Sequence, residues 1–250
     1  MRITVITLAI LAAITTVRGQ QTLTNKSNRA ELLTLLRSNN AEVRSEALDQ
    51  LRTDPVALRD PKVKAALVNQ LDRENQEPLY AEEEDYASYV SWLADTVAKV
   101  VDWSDHREVC ILAYSVDLPE ELADHAKVAI PCLLQRFKTA PSLLRGDVVA
   151  MLVQALAKGR NDLDAATTQT VHHTILSALH DSDYNVRADT VRALGKFGGE
   201  DMIPVLEEVS KTDTSVDKLD HNLWIREYAV KAIAAIRKRV AATSATTPQK

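Results

Sequence analysis

Glycine is scarce in this chain, with six in 250 residues, and only two phenylalanines and two cysteines occur. Strict alternation of apolar and polar residues, which marks half-buried strands, is equally rare. With Ala, Leu and Val dominant, these shortages exclude a strand-built fold and leave a helical chain. Catalytic motifs are missing too. There is no glycine-rich loop of the nucleotide-binding or Walker type, and no Gly-x-Ser-x-Gly elbow to expose a nucleophilic serine. Histidines never take the His-x-x-x-His spacing of a helical metal site. His172, His173 and His180 share one predicted helix without that spacing, so they read as solvated or core side chains. Asp213, Asp217 and Asp220 lack the regular spacing of a calcium loop and read as solvated loop acids. A basic excess is also absent: the net charge is −5, which argues against a phosphate-binding face. The sequence therefore predicts no catalytic residue, no cofactor, no metal and no nucleic-acid partner.

What is present begins at residue 1. Met1-Arg2 precedes Ile3–Thr16, which is uncharged and almost wholly apolar, and Val17-Arg18-Gly19 follows. This is the pattern of a secretory signal peptide over 1–19, cleaved after Gly19. The apolar run is shorter than the about 20 residues a membrane-spanning helix needs. With no cysteine near the cut, a lipoprotein anchor is not expected. Cleavage removes Arg2 and Arg18 and takes the balance to −7. The expected location is periplasmic or secreted, with no stable membrane span after cleavage. Residues 20–27 are polar and predicted flexible. Residues 240–250, small and polar, are predicted to form a disordered tail.

Between these ends, caps and periodicity predict about eleven helices joined by short connections, so neighbours run antiparallel. One predicted helix runs from Pro119 to Phe137. A repeat underlies the pattern. Taking Val186 as position zero, positions four, five, seven and eight hold Thr190, Val191, Ala193 and Leu194. From Ile225 the same positions hold Ala229, Val230, Ala232 and Ile233. Val43 and Leu144 open further copies, with Gln50 breaking the pattern in the first. Position one is always arginine: Arg44, Arg145, Arg187 and Arg226. The last two copies are 39 residues apart, which is the length of a helix–turn–helix repeat. An arginine in the first turn of a helix faces an unfavourable dipole, so each needs compensation. Asp181 or Asp183 can supply it, within a repeat or across to the next.

On these residues, "DSDYNVRADTVRALGKFG" above all and "NLWIREYAVKAIAAI" and "NAEVRSEALDQL" as weaker copies, the chain resembles the HEAT-repeat family in its short bacterial form. The resemblance covers a repeat domain over 28–239, clearest at 28–74 and 164–239 and degenerate at 80–160. It implies an all-α, right-handed α-solenoid of about five stacked antiparallel helix pairs. It also implies that Arg44, Arg145, Arg187 and Arg226 form a structural ladder with Asp181 and Asp183, with Asp220 serving Arg226. The rival reading is an arginine row that binds an anionic partner. Some helical-repeat enzymes bind iron through His-Glu dipeptides, but no histidine here precedes glutamate.

Function is then expected to be a non-catalytic, exported protein–protein interaction scaffold. Alternatives are an enzyme or lyase-type subunit on the same solenoid, or a nucleic-acid-binding solenoid, which the charge and export oppose. Candidate partner contacts are the turn aromatics Tyr184 and Trp224, Tyr86, and the acidic run Glu82, Glu83 and Glu84. Tyr86, Tyr89 and Trp92 share a helix face at spacings of three. For Cys110 and Cys132, adjacent helices joined near Leu118-Pro119 would set the thiols roughly 7 Å out of register along the axis. Buried free thiols are the expectation, and a bridge requires different helix ends.

Overall fold

A computed structural model describes residues 28–76, 84–115, 117–215 and 223–246, with side chains from 88 onward in the helix that starts at Glu84 and up to 242 in the last helix. The predicted signal peptide, the 20–27 segment, Glu82, Glu83 and Asp220 lie outside the described residues, as do the side chains of Glu84 and Tyr86. Among the described residues every regular element is helical, and no helix is long and apolar enough to cross a membrane.

Two compact units divide between Val100 and Val101, where the sequence predicts one continuous repeat domain. No repeat arginine falls between Arg44 and Arg145, so the repeat is lost around that division. The first unit holds α1 (28–35), α2 (Ala41–Arg52), α3 (Pro61–Glu74) and α4 (Glu84–Ala98). Asn40 caps α2 by accepting from Glu42 and Val43 N–H. Asp60 caps α3, with Pro61 at a position whose donor would be unpaired in any case. Leu36, Leu48, Leu51, Leu67, Leu71 and Leu93 are fully buried in this unit.

The second unit holds α5 (His106–Ala113), α6 (Glu121–Asp124), α7 (Ala126–Thr139), α8 (Ser142–Gly159), α9 (Ala165–Leu179), α10 (Tyr184–Phe197), α11 (Ile203–Thr212) and α12 (Trp224–Thr246). Helices α7, α9 and α11 pack on α8, α10 and α12 in turn, and α8, α10 and α12 pack side by side. This is the stacking of an α-solenoid. The repeat positions explain it. Val148, Val149, Met151 and Leu152 on α8 are buried, as are Thr190, Val191, Ala193 and Leu194 on α10. On α12, Ala229, Ala232 and Ile233 are buried but Val230 is 58% exposed. Position five faces the next helix of the row, and no described helix follows α12 there. Small residues set the spacing. A Cβ on Gly195 would come within 3.1 Å of the Ala232 Cβ, so α10 and α12 meet almost backbone to backbone.

Three elements differ from the sequence reading. The expected helix over Pro119–Phe137 breaks at His125, which leaves helical geometry (φ −110, ψ 38) and stacks on Trp103 with ring centroids 4.1 Å apart. Second, Cys110 and Cys132 are joined in a disulfide with Cα atoms 5.1 Å apart, so they are not free thiols. The break at His125 is the reason. Cys110 stands three residues before the end of α5 and Cys132 six after the start of α7, instead of far along one unbroken helix. Third, α12 continues to Thr246, through much of the predicted disordered tail. Ala241 and Ala242 are strong helix formers, and after Pro204 the next proline is Pro248.

Candidate interaction surface

Each repeat arginine bends back to a carbonyl of the turn before its own helix. Arg44 Nη1 donates to Ser38 O (2.9 Å) and Arg145 Nη1 to Ala140 O (3.4 Å). Arg187 Nη1 donates to Asp181 O (2.6 Å), and Arg226 Nε donates to Asp213 O. These carbonyls offset the helix dipole that disfavours a cation in the first turn.

Three of the arginines also reach a carboxylate well ahead in the chain. Arg44 Nε lies 3.1 Å from Glu74 Oε1, with both side chains buried. Arg145 grips Asp181 with two hydrogen bonds, Nε to Oδ2 (3.0 Å) and Nη2 to Oδ1 (2.9 Å). Arg187 Nε lies 3.3 Å from Asp213 Oδ2. The Asp181 carboxylate thus serves Arg145 of the preceding helix pair, while its carbonyl serves Arg187. Asp183 instead caps α10 by accepting from Asn185 N–H (2.8 Å). A hydrogen bond from Ser142 is the chief cause holding the Asp183 carboxyl below the usual value of 3.8. Asp213, which sequence reasoning placed among solvated loop acids, is the residue that joins Arg187 and Arg226.

The candidate aromatics separate. Tyr184 is half-buried at the start of α10, with the Arg187 guanidinium 6.0 Å from its ring. Trp224, half-buried at the start of α12, stacks on Tyr228 at 6.1 Å. In the first unit Tyr89 is buried beside Arg44, whereas Trp92 is 41% exposed with Arg52 5.0 Å from its ring.

A surface row crosses α10 and α12 that the sequence alone did not single out. Asp189 Oδ1 accepts from Arg192 Nη1 (2.7 Å), and Arg192 Nη2 donates to Tyr228 OH (3.1 Å). The Arg192 guanidinium stands 4.4 Å from the Tyr228 ring centroid, and Lys231 approaches the same ring at 5.8 Å. Arg192 keeps 54% of its side chain exposed. At the α8 end of the row is Asp147. Burial, then the nearby charges of Asp189 and Asp117, push its carboxyl above the usual 3.8, against the opposing pull of Arg136. Asp147 and Asp189 therefore suit a positive charge, while Tyr228 and Trp224 offer a stacking face. The sequence signal was Arg192 five residues after the repeat arginine Arg187 in one copy and Tyr228 two residues after Arg226 in the other.

Elsewhere, His172 Nε2 lies 3.6 Å from Asp201 Oδ2. A cleft of about 350 Å³ is lined by His180, Asp181, Arg187, Asp213 and Ser215 among others. Among the described residues, the potential metal-ligand group is His106, Cys110 and Cys132, not the histidines of α9. Its signal was the four-residue step from His106 to Cys110.

Residues 130–220 match the family model for HEAT repeats. The match begins inside the stretch read as degenerate and takes in most of α7 and all of α8, whose Arg145 reaches Asp181. No curated protein matches the chain. Among solved structures, an engineered protein is 16% identical, with 84% of this chain and 96% of that one covered and a TM-score of 0.41. A designed armadillo repeat protein in complex with the peptide (KR)4 is 12% identical, with 82% and 98% covered and a TM-score of 0.40.

Proposed function

We propose that this chain, with HEAT repeats over residues 130–220, is a non-catalytic scaffold that binds a protein partner outside the cytoplasm. The observation that carries the reading is the row Asp189–Arg192–Tyr228–Trp224. Arginine, tyrosine and tryptophan are the residue types that dominate binding energy at protein interfaces. Here Arg192 is already held by Asp189 and Tyr228, so little side-chain freedom remains to be lost when a partner docks. The net negative charge supports a protein partner over a nucleic acid. Export rests on the signal-peptide pattern of residues 1–19.

The test is affinity capture with residues 20–250 from periplasmic and secreted fractions of the source organism, read by mass spectrometry. A parallel capture uses the double variant Arg192→Glu, Tyr228→Ala. The expected result is a partner retained through a salt wash by the parent chain and lost by the variant. A partner held equally by both would reject this surface. Failure of the chain to leave the cytoplasm would reject export.

A further inference from the structure

Three side chains converge where α5 packs on α7. His106 is the first residue of α5 and Cys110 stands one turn later, so both lie on one face of the helix. Cys132 arrives from the second turn of α7. Their ligand atoms all lie within 4.8 Å of one another. His106 Nε2 is 3.6 Å from Cys110 Sγ, and Nδ1 is 3.9 Å from Cys132 Sγ. Access is graded: His106 is exposed, Cys110 half-buried and Cys132 buried.

The disulfide alone does not require an imidazole beside it. The start of α5 does not require one either, since Asp105 caps it by accepting from Arg107 and Glu108 N–H. Two sulfurs and an imidazole are, however, a donor set that Zn²⁺ takes in tetrahedral coordination, with water in the fourth position. We propose that reduction of the Cys110–Cys132 disulfide uncovers a Cys₂His site for Zn²⁺.

The reductant is a dithiol. One of its thiolates attacks Cys110 Sγ, the accessible sulfur. The S–S bond breaks, Cys132 leaves as a thiolate, and a mixed disulfide forms at Cys110. The second thiolate of the dithiol displaces Cys110, and the dithiol closes into a cyclic disulfide. Two electrons have passed to the protein, and both cysteines take up protons as thiols. Zn²⁺ then replaces the two thiol protons, which go to solvent, and accepts the lone pair of neutral His106. Because the same sulfurs serve both states, the disulfide and the metal exclude each other. The 5.1 Å Cα separation lets the freed sulfurs part around an ion by side-chain rotation.

The test uses the full chain, reduced anaerobically with a phosphine and titrated with Co²⁺ and then Zn²⁺. The expected result is one equivalent of Co²⁺ with thiolate-to-cobalt charge transfer and the strong visible bands of tetrahedral coordination. Zn²⁺ should displace it, and the oxidised chain should show neither. His106→Ala keeps both sulfurs and should lower the Zn²⁺ affinity of the reduced chain by about tenfold or more. Weak octahedral Co²⁺ bands in the reduced chain, or unchanged affinity in His106→Ala, would overturn the proposal. If reduction melts helices, Zn²⁺ must restore them, because binding at a folded site stabilises that fold. A reduced chain that stays unfolded with Zn²⁺ overturns it equally.

Discussion

The Arg145–Asp181 pair ties two helix pairs of the second unit across 36 residues, and its removal should be felt. The perturbation is a double-mutant cycle of Arg145→Ala, Asp181→Ala and the two combined. Fully exposed ion pairs are worth about 0.2–1 kcal/mol, while hydrogen bonds to charged groups contribute about 1.5–3 kcal/mol. This pair is two-pronged, and its side chains are only 23% and 13% exposed, so a coupling of about 1–2 kcal/mol is expected between those limits. Each single variant should lose about 2–3 kcal/mol, because the remaining charge is left largely buried. For Asp181→Ala the Asp183 N–H also loses its acceptor. Such a loss should lower Tm by about 4–12 °C for a unit of this size. A Trp92→Phe background leaves Trp103 and Trp224 as fluorophores, both in the second unit, so urea titrations report that unit alone. Acid supplies an independent check. Burial raises the Asp181 pKa, but the Arg145 hydrogen bonds, the Asp183 N–H and the Arg145 charge outweigh it, so the carboxyl titrates below its usual 3.8. The stabilisation is therefore full above that usual value and is lost as pH falls through the lowered one. A coupling indistinguishable from zero, or one that persists unchanged in strong acid, would refute the reasoning.

Arg44→Leu should destabilise the first unit by about 3–5 kcal/mol, since the buried Glu74 carboxylate keeps its hydrogen bond from Gln70 but loses its counter-charge; the transition reported by Trp92 fluorescence checks it. Val191 and Val230 occupy the same repeat position but are 0% and 58% exposed. Val191→Lys should unfold or severely destabilise the second unit, while Val230→Lys should stay within about 0.5 kcal/mol of the parent in urea titration. Replacing both cysteines by serine opens a loop spanning 22 residues and should remove about 3 kcal/mol by the chain-entropy relation, read as a drop in the calorimetric Tm of the second unit.

The helical-repeat fold was legible in the sequence because the repeat obeys one local rule. An apolar residue and an arginine open a helix, and apolar or small residues follow at positions four, five, seven and eight. Burial of Val186, Val191 and Leu194 follows from that periodicity alone. Other features depend on where chain segments meet, which periodicity does not encode. The acceptors Glu74 and Asp213 lie 30 and 26 residues beyond their arginines, in stretches with no mark to distinguish them from solvated acids. The Arg192–Tyr228 contact spans two repeats and exists only because Gly195 and Ala232 bring α10 and α12 so close. The break at His125 comes from a tertiary contact, its stacking on Trp103. No local propensity announces that contact, and the error in the cysteine register follows from it.

The same break explains how α5 is held to α7 ahead of the second unit's first repeat arginine, Arg145. Helices α5, α6 and α7 carry no apolar-arginine opening and so have no ladder arginine. In its place a covalent link joins Cys110 to Cys132. One turn beyond Cys132, Arg136 is 4% exposed and donates from Nη1 to Ala113 O at 2.6 Å. That carbonyl lies in the last turn of α5, where the helix leaves oxygens without intrahelical donors and where the dipole favours a cation. Burial outweighs the nearby Tyr114 and Asp147 and brings the Arg136 pKa down to about 10, so the guanidinium remains charged at neutral pH. Arg136 thus serves a helix C-terminus, the mirror image of Arg145 and Arg187, which sit in helix first turns and need carbonyls and carboxylates to offset the dipole. The disulfide and Arg136 act on the same pair of helices, so reduction should leave α5 held to α7 by this buried hydrogen bond. That retained contact would keep His106 near the freed sulfurs, as a metal site there demands.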